Sequence, residues 1–320
     1  MDPAPAQGRP CPHQRVTTPH AGDHPWRGYF YIAAATFCWG AAATVGKAVF
    51  NGRLFAGSAQ ISPLLLSQAR TTFSVLVLMI LLLARFGREF FKINSRDLLL
   101  CTLAGTLGVA GSNFFYYLAI QKATVAIAIT LQYAAPVWVL LYMVLRGCER
   151  AVWRRFLSVL LAMLGIALTI GLFPSGLKVN FVGAAAGLLA SFSFAFYNIL
   201  APGLVRRHHQ LKVMLYTLLG AAILWMLVNP PWLLAAQNYN SRQWGFLFVF
   251  ACLSLLLPYS LYFSGLKYLD ATRSVIASCL EPVFAILFAA AFVGETLHGL
   301  QVAGILAVLA ATVMAQSGNK

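Results

Sequence analysis

Residues Leu280–Ala315 read LEPVFAILFAAAFVGETLHGLQVAGILAVLAATVMA. Two apolar runs flank a short, weakly polar turn, Val293-Gly294-Glu295-Thr296. Each run is about as long as the hydrocarbon core of a bilayer is thick. Gly304, Ala307 and Ala311 form a small-residue stripe along the second run. That spacing lets helix backbones approach closely in lipid. The first run opens on Glu281-Pro282, a carboxylate next to a helix breaker. Neighbouring helices must cover both, because lipid satisfies neither. The stretch therefore predicts apolar helices packed against one another inside a membrane.

The stretch occurs twice. A shift of 146 residues carries Pro136 onto Pro282, Val137 onto Val283, Leu141 onto Leu287 and Glu149 onto Glu295; upstream, Tyr116 falls on Tyr262. A repeat covering about half a chain is a sequence sign of a transporter built from two similar bundles.

These residues resemble the EamA domain of the drug/metabolite transporter (DMT) superfamily. The second copy carries Glu281-Pro282-Val283, Gly294-Glu295 and Gly304. The first carries Trp39-Gly40, Lys47, Ser62-Pro63, Ala69-Arg70, Asn113, Pro136-Val137 and Glu149. It departs from the family pattern at Cys148, where a Gly usually precedes the Glu, and has Ala135 where the second copy has Glu281. Phe194-Ala195 stands at the place of Trp39-Gly40, and Pro202 at that of Lys47. The resemblance runs from about Tyr29 to Gln316. It implies a central cavity lined by helices 1, 3, 4, 6, 8 and 9, and efflux of amino acids or related compounds.

Composition leads to the same class independently. The chain is 60% hydrophobic and 10% charged, with a mean hydropathy of +0.76. Soluble domains carry about 25% charged residues, so lipid must be the solvent here. The net charge of +15 would suggest nucleic acid in a soluble protein. Here the basic residues lie between apolar runs and report topology instead; no nucleic-acid partner is expected. The six cysteines (Cys11, Cys38, Cys101, Cys148, Cys252, Cys279) form no C-x-x-C and read as small packing residues.

Residues 1–28 read as a disordered cytoplasmic tail, without the apolar core of a signal peptide. Cys11, His13, His20 and His24 match no metal-finger spacing. Ten apolar segments follow, near 29–50, 62–84, 98–119, 123–145, 156–173, 181–204, 213–234, 244–266, 274–293 and 300–316. The predicted fold is thus an all-α membrane protein of ten transmembrane helices, in two inverted five-helix repeats over 29–173 and 181–316. Trp26, Tyr29, Trp153, Trp232 and Trp244 fall near segment ends, as an aromatic belt predicts. Of the Lys and Arg residues, 17 fall on one side and 4 on the other, with Lys47 and Arg70 inside segments. The positive-inside rule then places both termini in the cytoplasm, in a bacterial cytoplasmic membrane. The loop around Glu149 carries four arginines and lies inside; its partner around Glu295 carries none and lies outside. Five helices per half, an odd number, insert the same unit in opposite orientations, the geometric basis of alternating access.

No H-E-x-x-H, G-x-S-x-G or Walker sequence interrupts the apolar region. The chain reads as a non-enzyme without cofactor or metal, driven by a gradient. Candidate substrate-binding residues are Trp39 on the face of Thr36, Ala43 and Lys47; Asn113 and Tyr117; Gln132 and Tyr133; Ser193, Tyr197 and Asn198; Tyr259 and Tyr262; and Ser278 with Ser274. Aromatic walls with a few orienting polar groups suit a small amphipathic metabolite. The competing reading is interhelical glue worth about 1 kcal/mol per contact. Glu281 is the one carboxylate placed inside an apolar segment. It is a candidate for proton coupling, or for a cytoplasmic lock formed with Lys267 or Arg273. Pro136 and Pro282 are expected to kink their helices. Arg70 is read chiefly as a tie to backbone carbonyls, Lys47 as a cation able to snorkel, and Glu149 and Glu295 as helix caps. The expected partners are the lipid bilayer and a small-molecule substrate, exported by secondary active transport. Two alternatives stand: a membrane-embedded enzyme, which needs a nucleophile or metal cluster at mid-membrane, and a non-transporting scaffold or sensor, which predicts a dry, packed centre.

Overall fold

The computed structural model describes residues 25–50, 61–122, 125–147, 153–169, 181–230, 239–288 and 298–316, with isolated positions at 232–233, 236–237 and 291. Helices dominate the described residues, and no strand occurs among them. In chain order they are α1 (Pro25–Phe50), α2 (Pro63–Phe86), α3 (Ser95–Leu103), α4 (Gly111–Lys122), α5 (Val125–Gln132), α6 (Ala135–Leu145) and α7 (Trp153–Thr169). Then come α8 (Phe181–Arg207), α9 (Gln210–Val228), α10 (Ser241–Ala251), α11 (Leu257–Gly265), α12 (Ala271–Ser278), α13 (Leu280–Phe288) and α14 (Gly299–Gln316). Among the described residues, seven stretches are long and apolar enough to cross a membrane: Leu64–Phe86, Ser95–Tyr116, Ala128–Leu145, Phe181–Arg207, Gln210–Val228, Ser241–Gly265 and Ala271–Phe288. Gly299–Ala315 is apolar but shorter.

Side-chain caps set several helix starts. Asn94 accepts from the Asp97 amide to open α3, Asn240 from Gln243 to open α10, and Asp270 from Arg273 to open α12. Each cap satisfies an amide that has no partner inside the helix. α9 stops at Val228 before Asn229-Pro230, short of the expected 234, because proline cannot extend the ladder.

Two helices pass through wider turns. α3 continues through a π-helical segment, Ala104–Ala110, into α4; α10 continues through Cys252–Leu256 into α11. Two others break outright. The chain turns at Tyr133–Ala134 between α5 and α6, and at Cys279 between α12 and α13. Pro136 and Pro282 lie just inside the second pieces, so the expected kinks are interruptions. Proline lacks the amide that would carry the ladder across, and it disfavours helical backbone in the residue before it.

α7 and α14 pack along the small-residue stripe. A Cβ on Gly304 would lie 2.5 Å from the Thr169 amide and 2.6 Å from Gly165 O, so any larger residue forces the backbones apart. α1 packs on α11 and α13, and α8 on α4 and α5.

Buried polar clusters tie helix ends together. Asp97, 2% exposed, holds Arg207 Nη1 at 2.9 Å as an ion pair outside hydrogen-bond geometry, and His208 Nε2 at 2.7 Å. Asp270 pairs with Arg155 of α7 at 3.5 Å and Arg273 of α12 at 3.4 Å. Gln68 of α2 donates to Asn229 O at 2.6 Å, and Asn229 returns a bond to Gln68 Oε1.

Candidate functional site

Rings from α1, α8 and α11 meet between the two halves of the chain. Trp39 lies edge-on to Tyr259, with ring centroids 5.3 Å apart, and tilted to Tyr262 at 5.4 Å. Tyr197 stacks on Tyr262 at 6.1 Å and approaches Tyr259 at 6.4 Å. Such offset and edge arrangements are those that the ring quadrupole favours. Two glycines admit the helices that carry them. A Cβ on Gly40 would lie 2.8 Å from the Ala285 amide on α13, and one on Gly108 would lie 2.7 Å from Tyr197 Cβ. Tyr262 Oη donates to Asn198 Oδ1, and Asn198 Nδ2 donates to Phe194 O at 2.8 Å. Tyr197 Oη is buried and has no hydrogen-bond partner among the described residues. Leaving a buried hydroxyl unpaired costs about 1–3 kcal/mol, so Tyr197 keeps a donor that a ligand can take.

A second group joins the first through Phe194, whose ring lies 6.3 Å from Tyr197 and 6.4 Å from Tyr133. Tyr133 stands at the break between α5 and α6 and donates its hydroxyl proton to Glu281 Oε2 at 2.7 Å. This bond links residues 148 positions apart. The expected lock of Glu281 by Lys267 or Arg273 does not form. Arg273 pairs with Asp270, the cap of its own helix three residues earlier, and Lys267 is exposed. The turn at Cys279 separates Glu281 from both.

Arg70 of α2 reaches the wider turn between α10 and α11. Its Nη2 donates to Ser254 O at 2.9 Å, and its guanidinium lies 5.4 Å from the Phe250 ring centroid. The α-helical donor to that carbonyl would be the amide of residue 258, which is a proline. Arg70 thus supplies a missing N–H. Ser74 Oγ donates to Ala251 O, one turn away, at 3.2 Å.

The other predicted residues divide. Gln132 Nε2 donates to Ser112 Oγ across α5 and α4 at 3.0 Å. Ser193 is half-buried against Gly111, where a Cβ would sit 3.1 Å from its Oγ. Asn113 bonds Val109 O, Ser278 bonds Val275 O, Ser274 bonds Asp270 O and Thr36 bonds Ala33 O, all within one helix or its cap. In these four the bonds stay local and are not the interhelical glue that residue type suggests. The side chains of Ala43, Lys47 and Tyr117, and residues Cys148, Glu149 and Glu295, lie outside the described residues. Sequence reading misses Phe194 and Ser254 as members. Phe194 was findable, because it occupies the place of Trp39 in the other copy; Pro258 pointed to an unsatisfied carbonyl at Ser254.

A family model described as the EamA-like transporter family matches residues 26–171 and again residues 181–316. The chain belongs to this family. It is accordingly an integral membrane protein and a transporter. Among curated relatives of this EamA-like chain, the threonine/homoserine exporter RhtA of Salmonella typhimurium is 29% identical over 211 residues, covering 65% of this chain and 68% of that protein. An uncharacterized transporter of Archaeoglobus fulgidus is 30% identical over 214 residues, covering 65% and 75%. A solved crystal structure superposes with a TM-score of 0.71 at 18% identity, covering 90% of this chain and 96% of the other; it speaks to the fold.

Proposed function

We propose that this EamA-like transporter exports an amino acid or related small amphipathic compound across the bacterial inner membrane. It does so by alternating access between two inverted five-helix repeats, residues 29–173 and 181–316, ten membrane helices in all. Paired features support the repeat. Under the same 146-residue shift, the cap Asn94 with Asp97 falls on Asn240 with Gln243, and the break at Tyr133 falls on Cys279. The two π-helical segments overlap under it as well. The charge asymmetry places both termini in the cytoplasm. A reporter fused after Lys320 is expected to read cytoplasmic and one after Tyr239 periplasmic; matching signals contradict ten helices.

One observation carries the function: in a transporter family, aromatic and polar side chains from both halves converge on Tyr197 and the Tyr133–Glu281 bond. In this reading Trp39, Tyr197, Tyr259 and Tyr262 wall the substrate, while Asn198 fixes Tyr262. In the same reading Gln132, Tyr133, Ser193 and Ser278 offer polar groups to the substrate, with Asn113 and Tyr117 on α4. Glu281 takes up and releases the coupling proton. Arg70, Lys47, Pro136 and Pro282 serve the gating movements, since an interrupted helix can pivot where a continuous one cannot. The ion clusters of Asp97 and Asp270 close the cytoplasmic end; the Gln68–Asn229 amide pair closes the other.

Proteoliposomes preloaded with unlabelled L-threonine or L-homoserine test this reading by counterflow of the labelled compound. Wild-type protein is expected to exchange at least one of them. Trp39→Ala is expected to lower the rate roughly tenfold, the scale of one lost aromatic contact, while eluting monodisperse. Undiminished exchange by Trp39→Ala contradicts the aromatic wall.

A further inference from the structure

We infer that the hydroxyl of Tyr197 reads a hydroxyl group on the side chain of the substrate, so that the site selects hydroxyl-bearing amphipathic compounds over counterparts lacking that group. The inference rests on the proposed amino-acid transport and deepens it, by naming the feature that tells one small metabolite from another.

Tyr197 is 2% exposed on α8. The rings of Phe194, Tyr262, Tyr259 and Phe263 stand 6.3, 6.1, 6.4 and 5.8 Å from its own, centroid to centroid. Gly108 approaches so closely that a Cβ there would lie 2.7 Å from Tyr197 Cβ. All of these contacts run through the ring and Cβ, and a phenylalanine would make every one of them. The hydroxyl is the part of the residue that packing does not account for.

That hydroxyl is buried and has no hydrogen-bond partner among the described residues. The other two buried tyrosines of the site have theirs engaged: Tyr262 Oη donates to Asn198 Oδ1, and Tyr133 Oη to Glu281 Oε2. The amide nitrogen of Asn198 is taken by Phe194 O. Buried hydroxyls ordinarily find a partner, and an orphan calls for a reason. A costly group on a ring fixed by its neighbours is preorganised for a ligand.

The surroundings select the chemistry of that ligand. A methyl group suits the rings around Tyr197 but leaves the hydroxyl unpaired. A carboxylate buried among uncharged rings loses its water without gaining a counter-ion. A hydroxyl both donates and accepts, so it pairs with Tyr197 whichever way the phenolic proton points. Trp39 and Tyr259 are half-buried and form the rim of the ring cluster, while Tyr197 and Tyr262 are buried and form its floor. The end of the substrate that reaches the floor is therefore the end that is read. A site with a buried polar group to satisfy rejects most strongly the analogue that leaves it unpaired.

The test uses L-2-aminobutyrate, which is both L-threonine and L-homoserine with the side-chain hydroxyl replaced by hydrogen. Counterflow in proteoliposomes is followed with whichever labelled hydroxyl compound the wild type exchanges. Unlabelled L-2-aminobutyrate is expected to inhibit about tenfold more weakly than the unlabelled hydroxyl compound, the scale of one hydrogen bond left unmade in a buried site. Tyr197→Phe is expected to erase this difference, by weakening the hydroxyl compound and not the aminobutyrate. The comparison is repeated as the rise in melting temperature that each compound produces, which needs no turnover. Without ligand, Tyr197→Phe is expected to melt no lower than the wild type, because it breaks no bond inside the protein. A variant that melts well below the wild type reveals an internal partner for the hydroxyl and overturns the inference. A variant that still discriminates between the two compounds overturns it as well. Wild-type protein that is inhibited equally by both remains a transporter, and the hydroxyl reading falls alone. Wild-type protein that exchanges neither labelled compound contradicts the amino-acid reading and this inference together.

Discussion

Glu281→Gln is expected to abolish accumulation driven by a pH gradient while retaining substrate exchange. The substituted amide keeps an oxygen for the Tyr133 hydroxyl, so the bond between the two halves survives. What it loses is the ability to exchange a proton. An intramembrane carboxylate is costly to keep unless it serves such a purpose, and here the competing structural use is gone. Arg273, the cation expected to lock Glu281, is engaged with Asp270. Parallel measurements of gradient-driven uptake and of counterflow separate the two effects. A variant that still accumulates substrate with an unchanged pH dependence removes Glu281 from coupling.

The double variant Arg207→Ala/His208→Ala is expected to be the more damaging to stability. It strands Asp97, which is 2% exposed, with only Asn94 Nδ2 at 3.1 Å and its own cap geometry for support. Removing the partners of a buried charge costs about 3–5 kcal/mol. That corresponds to a melting temperature lower by roughly 6–20 °C for a protein of this size or somewhat smaller. Adding Asp97→Asn is expected to restore part of the loss, since the uncompensated charge is then gone. A double variant that melts with the wild type shows the cluster to be a solvated contact.

Much of the fold was legible because apolar runs in lipid have few alternatives. Three misplaced helix starts have a common cause. The predicted starts at 98, 244 and 274 each fall three residues after the observed Ser95, Ser241 and Ala271. In each case a polar first turn (Ser95-Arg96-Asp97, Ser241-Arg242-Gln243, Ala271-Thr272-Arg273) is helical in backbone but reads as loop by hydropathy. This hid Asp97, which lies inside α3 and is buried, from the search for intramembrane carboxylates.

The candidate site was legible in residue type and not in pairing. Tyr133 and Glu281 stood out individually as polar groups in apolar runs, but only the fold brings them within 2.7 Å. Asn113, Ser274 and Ser278 looked like groups reaching across helices, yet their bonds go to carbonyls of their own helix or its cap. Nothing in local composition distinguishes these outcomes, because a short polar side chain on a helix can always reach a carbonyl one turn back. The π-helical segments left no hydropathy signal at all. Pro258 was the single residue that pointed to one of them.

The central claim, that substrate passes through the site around Tyr197 from both sides in turn, is tested most directly by thiol accessibility. Ser193 is half-buried on α8, one helical turn before Tyr197. Ser193→Cys is made in a background with all six native cysteines replaced and exposed to a membrane-impermeant thiol reagent. Right-side-out and inside-out vesicles are treated separately, with and without L-threonine. The account predicts labelling from both faces, slowed by substrate on each. A cysteine that reacts from neither face, or whose labelling ignores substrate, contradicts it and favours a dry, packed centre.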